Sequence, residues 1–136
     1  MLNDEILRYM LRVDEIPIIS ENALLKDALE LMSKFKVGIV VVVDEENTAK
    51  SVFTDGDFRR LILTNQQPLA ALLVNDISKF ANKNYLSIES ESNVQKAIEI
   101  LEKNKILDCP VISKGKIVGL FHTRSILKLL NYNAVS

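Results

Sequence analysis

Ala28-Leu29-Glu30-Leu31-Met32 and Ala97-Ile98-Glu99-Ile100-Leu101 are one phrase written twice. Lysines follow each copy, Lys34 and Lys36 after the first and Lys103 and Lys105 after the second. An apolar run comes next, Ile39 to Val43 in the first half and Cys109 to Ile112 in the second. Further on, Val52-Phe53-Thr54-Asp55-Gly56-Asp57-Phe58-Arg59-Arg60 answers to Leu120-Phe121-His122-Thr123-Arg124-Ser125-Ile126-Leu127-Lys128. Two copies of a unit about 60 residues long are fewer than the roughly three a stable solenoid needs. They suit a paired module with binding clefts between the copies, and the expected function is recognition rather than chemistry.

The periodicity gives each copy the order β-α-β-β-α. Asn3 to Leu11 reads as a short amphipathic helix or lead-in, with Asn3 or Asp4 able to accept a first-turn N–H. Pro17 favours an extended strand before Ile18-Ile19. Leu24, Ala28, Leu31, Met32 and Phe35 fall on one helical face, and Gly38 is the expected stop. Ile39 to Val43 is continuous and β-branched, as in a strand covered on both faces. Asp55-Gly56 has the composition of a hairpin turn, but Phe58, Leu61 and Ile62 continue at helical spacing, so Asp55 to Asp57 is read as a helix start. In the second copy, Tyr85 to Ile88 is the expected opening strand, and Ser90 or Ser92 the helix cap. Pro110 should lie at a strand edge or at a position without a ladder donor. The repeats are expected to divide as residues 1–75, including the lead-in, and residues 76–136.

Composition narrows the function classes. A length of 136 residues fits one compact domain, and a net charge of −1 gives no overall field to attract nucleic acid or an anionic membrane. One cysteine excludes an internal disulfide, and no metal-ligand cluster surrounds it. Without an apolar run near 18 residues or a signal peptide, a soluble cytoplasmic protein is the expectation. There is no Gly-rich phosphate loop and no dinucleotide fingerprint.

The order of elements and the motif wording resemble a CBS domain pair. The signature of that family is Gly-x-x-Thr-x-x-Asp followed by a basic residue. Ser51-Val52-Phe53-Thr54-Asp55-Gly56-Asp57-Phe58-Arg59-Arg60 is similar to it, with Ser51 in the glycine position. The second copy keeps Gly119 but has His122 and Ser125 where Thr54 and Asp57 stand. Asp14-Glu15-Ile16-Pro17, Thr54 to Arg60, and Gly119 to His122 further resemble the CBS pair that ends arabinose-5-phosphate isomerases of the KpsF/GutQ family. The Thr-Asp-Gly-Asp-x-Arg-Arg string also occurs in CBS pairs joined to sugar nucleotidyltransferases.

The resemblance implies an α/β (α+β) tandem CBS pair, two β-α-β-β-α repeats related by a pseudo-two-fold axis. It implies that Thr54 lies near a ligand phosphate, that Asp57 accepts from ribose hydroxyls, and that Ile16 and Pro17 give backbone contacts to a base. Two O–H donors meeting a two-oxygen acceptor is sound chemistry for Asp57. The alternative is that Thr54, Asp55 and Asp57 only cap a helix, which is worth about 1 kcal/mol, and both roles can hold together. Arg60, with its fork of donors, is a candidate for a phosphate or sugar carboxylate. A solvated helix face is the plainer reading for Arg59. His122, the sole histidine, is a candidate phosphate donor or titrating group, and no Ser, Cys or metal set partners it for catalysis. Cys109 is read as a small buried apolar residue. Because Ser125 replaces the ribose aspartate, one asymmetric site is expected rather than two equal ones.

The chain is therefore expected not to be an enzyme itself and to have no cofactor. The resemblance implies a regulatory nucleotide or nucleotide sugar, AMP, ATP or CMP-Kdo, sensed for a catalytic sugar-isomerase domain of a parent chain in Kdo biosynthesis. The alternatives are the CBS pair of a sugar nucleotidyltransferase and a purely structural dimerisation module. A homodimer through the helices carrying Phe58, Leu61, Ile62 and Ile126, Leu127, Leu130 is expected in either case.

Overall fold

The computed structural model describes the backbone of residues 2–135 and the side chains of residues 2–131. Met1 and Ser136, the outer ends of the two predicted repeats, lie outside the described residues. A 3-10 turn at Ile6–Arg8 leads to β1 (Leu11–Arg12), a second 3-10 turn (Val13–Glu15) and β2 (Ile18–Ser20). Then come α1 (Leu25–Phe35), β3 (Ile39–Val43), β4 (Ala49–Thr54), α2 (Asp55–Thr64) and α3 (Leu69–Leu73). A third 3-10 turn (Ile77–Lys79) precedes β5 (Ile88–Glu89), α4 (Val94–Asn104), β6 (Asp108–Ser113), β7 (Lys116–His122) and α5 (Thr123–Val135). The β-α-β-β-α order expected of each copy is present.

The chain forms two compact units. A contiguous unit runs Ile16–Tyr85, and a split unit combines the stretch up to Glu15 with the stretch from Leu86 onward. The contiguous unit holds the sheet β2-β3-β4, with β2 parallel and β4 antiparallel to β3. Every residue of Ile39–Val43 is buried, as a continuous β-branched run covered on both faces requires. Val40, Val42 and Phe53 pack with Leu25, Ala28 and Met32 of α1 and with Ile77. The split unit holds the sheet β1-β7-β6-β5, and its core joins Ile6 and Tyr9 to Val94, Ala97, Leu101, Val111 and Phe121.

The sequence repeats and the compact units do not coincide, because the lead-ins are exchanged. Ile6 donates its N–H to Ser92 O at 3.2 Å, and Val94 donates to Asp4 O at 2.9 Å. In the contiguous unit Ile77 donates to Ala23 O at 2.8 Å and Leu25 to Asn75 O at 2.9 Å. Each lead-in thus seats on the helix start of the other copy. Ile6 and Ile77 are both fully buried there, which ties the exchange to apolar burial as well as to hydrogen bonds.

Several local expectations are revised. Residues 3–11 form the lead-in alternative, with one 3-10 turn at Ile6–Arg8 instead of an α-helix, and Glu5 rather than Asn3 or Asp4 precedes that turn; Asp4 accepts from the Tyr9 hydroxyl at 2.9 Å. Lys36, not Gly38, ends α1 in the left-handed region at φ 56°. Gly38 instead gives room to the Asp55 side chain: a Cβ there would lie 2.6 Å from Asp55 Oδ2. Asn93, rather than Ser90 or Ser92, caps α4 by accepting from Lys96 N at 2.9 Å. The Tyr85 hydroxyl donates to Ala49 O at 2.6 Å in the contiguous unit, so Tyr85 is not part of β5. Of the two places expected for Pro110, an edge or a position without a ladder donor, it takes the second, in the central strand β6. It stands where Val41 stands in the other unit, and Val41 N donates to Pro17 O at 3.0 Å. Proline cannot make that bond, and β5 is correspondingly one residue shorter than β2.

Candidate functional site

Thr54 closes β4 in extended conformation, and the next residue starts α2. Its Oγ1 accepts from Asp57 N at 3.1 Å, while Asp57 Oδ2 accepts from Thr54 N at 3.0 Å. This reciprocal pair is a capping box, so the Thr-x-x-Asp spacing first of all builds the turn. Asp55 N donates to Gly38 O at 2.9 Å, which ties the start of α2 to the start of β3. Asp57 Oδ1 faces Arg60, whose guanidinium donates to it at 2.7 Å. That guanidinium lies against Gly56, where a Cβ would meet its terminal nitrogens at 3.2 and 3.3 Å. The Asp57 side chain is 23% exposed and that of Arg60 62%.

Ile16 and Pro17 belong to the same unit and are buried. Ile16 is 2% exposed, so its side chain is core. The Pro17 carbonyl is taken by Val41 N.

The corresponding turn of the split unit is built from different residues. His122 closes β7, and its Nδ1 accepts from Arg124 N at 2.9 Å. The imidazole therefore caps α5, and its neutral form carries the proton on Nε2. Ser125 Oγ accepts from His122 N at 3.1 Å, as Asp57 Oδ2 does from Thr54 N. Thr123 donates both N–H and hydroxyl to Leu107 O, at 3.0 and 2.9 Å. Ser125 is fully buried, so it offers no surface comparable to the Asp57 carboxylate.

The cross-strand partner of Thr54 is Ile39, whereas that of His122 is Asp108. His122 Nε2 lies 4.0 Å from Asp108 Oδ2, with side chains 14% and 10% exposed. Burial first, and then the Arg124 guanidinium, hold the His122 pKa below its ordinary value despite Asp108. The sequence reading missed Asp108. Its signal was an acid at the position matching the apolar Ile39, at the head of an otherwise buried strand. Cys109 beside it is buried, and burial with the Asp108 charge pushes its thiol up to about 12, far from a reactive thiolate.

Thr54, Asp57 and Arg60 therefore share one turn, with Ile16 and Pro17 in the same unit and His122 in the other. In both turns several backbone donors at the helix start are committed, those of Thr54, Asp55 and Asp57 and those of His122, Thr123 and Arg124; the N–H groups of Gly56 and Ser125 are not among them. The free N–H groups that would make a helix start an anion site are thus largely consumed. The basic side chain beside the first turn is Arg60.

A sequence model of the CBS domain matches residues 5–64 and again residues 74–132. Arabinose 5-phosphate isomerase GutQ of Salmonella typhi is 33% identical over 107 residues, covering 78% of this chain and 32% of the isomerase. The GutQ of Escherichia coli K12 is 32% identical over 111 residues, covering 81% of this chain and 33% of that one. The chain thus spans only that share of the isomerases' length. Among solved structures, CBSX2 in complex with AMP superposes with a TM-score of 0.81 at 20% identity, covering 96% of this chain and 98% of that one. An uncharacterised conserved protein of Pyrococcus horikoshii superposes with a TM-score of 0.81 at 19% identity, covering 96% and 94%. Among the described residues no helix is long and apolar enough to cross a membrane.

Proposed function

The chain belongs to the CBS domain family, as a tandem pair of such domains, and on that premise we propose that it is a regulatory module that binds a nucleotide or nucleotide sugar. Thr54, Asp57 and Arg60 form the main grip, with Ile16 and Pro17 of the same unit contributing backbone, and His122 is the candidate ligand contact of the other unit's turn. The observation that carries this reading is the Asp57 carboxylate, fixed by the Thr54 N–H at 3.0 Å on the strand–helix turn and still partly exposed. A carboxylate so oriented is an acceptor for a vicinal diol. CBSX2, of the same fold, is described as an AMP complex, which makes AMP and ATP the first ligands to try. The likeness to the GutQ isomerases supports a parent sugar-phosphate isomerase whose catalytic domain responds to the bound ligand. In that setting CMP-Kdo is the candidate feedback signal, and the compartment is the cytoplasm.

A homodimer is part of the proposal. Ile62 and Leu63 on α2 and Leu127 and Leu130 on α5 are exposed large apolar residues, and apolar surface of this kind favours burial against a second copy.

The test is a thermal-shift panel of AMP, ATP, CMP, CMP-Kdo and arabinose 5-phosphate. A ligand at about 100 times its dissociation constant adds about 2.7 kcal/mol to stability. A shift with a nucleotide and none with the sugar phosphate supports the reading. No shift with any of the five leaves the scaffold reading, which sedimentation equilibrium would then test as a dimer.

A further inference from the structure

Asp57 is the acceptor on which the proposed ligand reading rests, and each of its oxygens already accepts one hydrogen bond. Oδ2 holds the Thr54 N–H, and Oδ1 holds the Arg60 guanidinium at 2.7 Å. The first contact is internal to the capping box and is needed for the turn. The second is an ion pair on an exposed side chain. Arg60 reaches it by lying against Gly56, where a side chain would crowd both terminal nitrogens. The trio Gly56, Asp57 and Arg60 occurs once. At the matching places of α5 stand Arg124, Ser125 and Lys128, and Lys128 Nζ points instead to Glu15, 3.8 Å away.

We propose that Arg60 is an exchangeable stopper on the Asp57 carboxylate, displaced when a ligand diol takes Oδ1 and then available to hold an anionic group of the same ligand. The proposal rests on the ligand reading above and adds a selectivity to it. An exposed ion pair contributes only about a two- to fivefold factor, so a diol can displace it. A neutral nucleoside strands the freed guanidinium without a carboxylate. A nucleotide gives it a phosphate that matches its fork of donors. The backbone donors of Thr54, Asp55 and Asp57 are already committed, so this side chain, beside the Gly56 N–H, is the main donor left for the phosphate. The site therefore selects ligands that carry a diol and an anion together.

The experiment is calorimetric titration of the wild type and Arg60→Gln with AMP, adenosine and 2′-deoxy-AMP at one ionic strength. The wild type is expected to bind AMP at least about tenfold more tightly than adenosine, in the range of charge-assisted hydrogen bonds. In Arg60→Gln that ratio falls to within about twofold, while adenosine affinity stays level or rises by up to about fivefold. 2′-Deoxy-AMP, lacking the diol, binds weakly to both. An unchanged AMP-to-adenosine ratio, or an equal loss for both ligands in Arg60→Gln, overturns the exchange while leaving the module reading in place. Absence of binding by every ligand to both proteins overturns the two together.

A ligand-free measurement stands apart from affinity. Rotation of the Arg60 guanidinium, followed by NMR, should be slowed relative to that of Arg59 and freed in Asp57→Asn. An Arg60 that already rotates as freely as Arg59 in the wild type overturns the stopper.

Discussion

Replacing Ile6 by alanine should damage the copy it does not belong to in sequence. Ile6 is fully buried in the split-unit core with Val94, Ala97, Val111 and Phe121. Its N–H bonds Ser92 O, and its carbonyl accepts from Tyr9 N at 3.0 Å and Met10 N at 2.9 Å. Truncation removes the apolar contacts but leaves those backbone bonds possible, so the cost is that of a core cavity, about 2–5 kcal/mol. Converted to an opening equilibrium, this is roughly a 30-fold to several-thousand-fold loss of protection. Native-state amide exchange followed by NMR locates the loss. It should fall on α4, β6 and β7, within residues 94–122, and spare Ile39–Val43. Ile77→Ala is the mirror experiment: Ile77 is equally buried but packs with Leu25, Val40 and Phe53. Its loss should fall on β3 and β4 and spare β6. If Ile6→Ala instead exposes β3 and β4, the exchange of lead-ins is wrong.

Three further expectations concern the two turns and two glycines. His122 is held below its ordinary pKa by burial and by Arg124, so the unfolded chain takes up the proton more readily than the folded one. The stability this confers is complete above the unfolded value of about 6.5 and is lost as pH falls through the folded value. His122→Asn, which can still accept from Arg124 N but cannot titrate, should flatten urea midpoints across that acid range; an unchanged slope refutes the assignment. Gly119→Ala would set a Cβ 2.5 Å from the backbone oxygen of Leu11, which cannot yield as a flexible side chain does. It should cost about 1–3 kcal/mol and unseat β1, whereas at Gly38 the first obstacle is the Asp55 carboxylate, and thermal melts should show a smaller loss. Asp57→Ala should weaken the nucleotide found in the thermal panel by about tenfold to a hundredfold, as loss of a charge-assisted acceptor predicts. Buried Ser125→Ala should act mainly on stability, and calorimetry showing equal affinity losses would contradict the asymmetry.

What could be read in the sequence was what is locally encoded. Ile39–Val43 is a strand because five consecutive β-branched residues allow little else. The helix beginning at Asp55 was legible because Phe58, Leu61 and Ile62 overrule the hairpin signal of Asp-Gly, and the capping box of Thr54 and Asp57 follows from their spacing. Ser125 stands in place of Asp57 and makes the same backbone bond, but it is buried where Asp57 is partly exposed.

What escaped was set by distant partners. The lead-in looked helical because Ile6, Tyr9 and Leu11 are apolar at suitable intervals, but their burial is decided by residues more than 80 positions away. Tyr85 looked like strand because it is aromatic and precedes Leu86-Ser87-Ile88, while its hydroxyl is anchored on Ala49. Asp108 was invisible as part of a site because only the cross-strand register brings it to His122. The pairing of Arg60 with Asp57 was within reach, since residues three apart share a helix face. Its consequence, a guanidinium already seated on the acceptor, needed the distances.

The exchanged lead-ins also fix how the fold would carry a mechanical load. The split unit is made from both flanks of the chain, and Ile16–Tyr85 is an insert within it. Along the chain, tension applied near residue 2 and near residue 135 is borne first by the split unit's own bonds, those of Leu2 to Gln95, of Ile6 to Ser92 and of β1 to β7. The two units are therefore not links of equal standing under a pull. The split unit must rupture first, and only then does the segment bearing Thr54, Asp57 and Arg60 begin to feel the force.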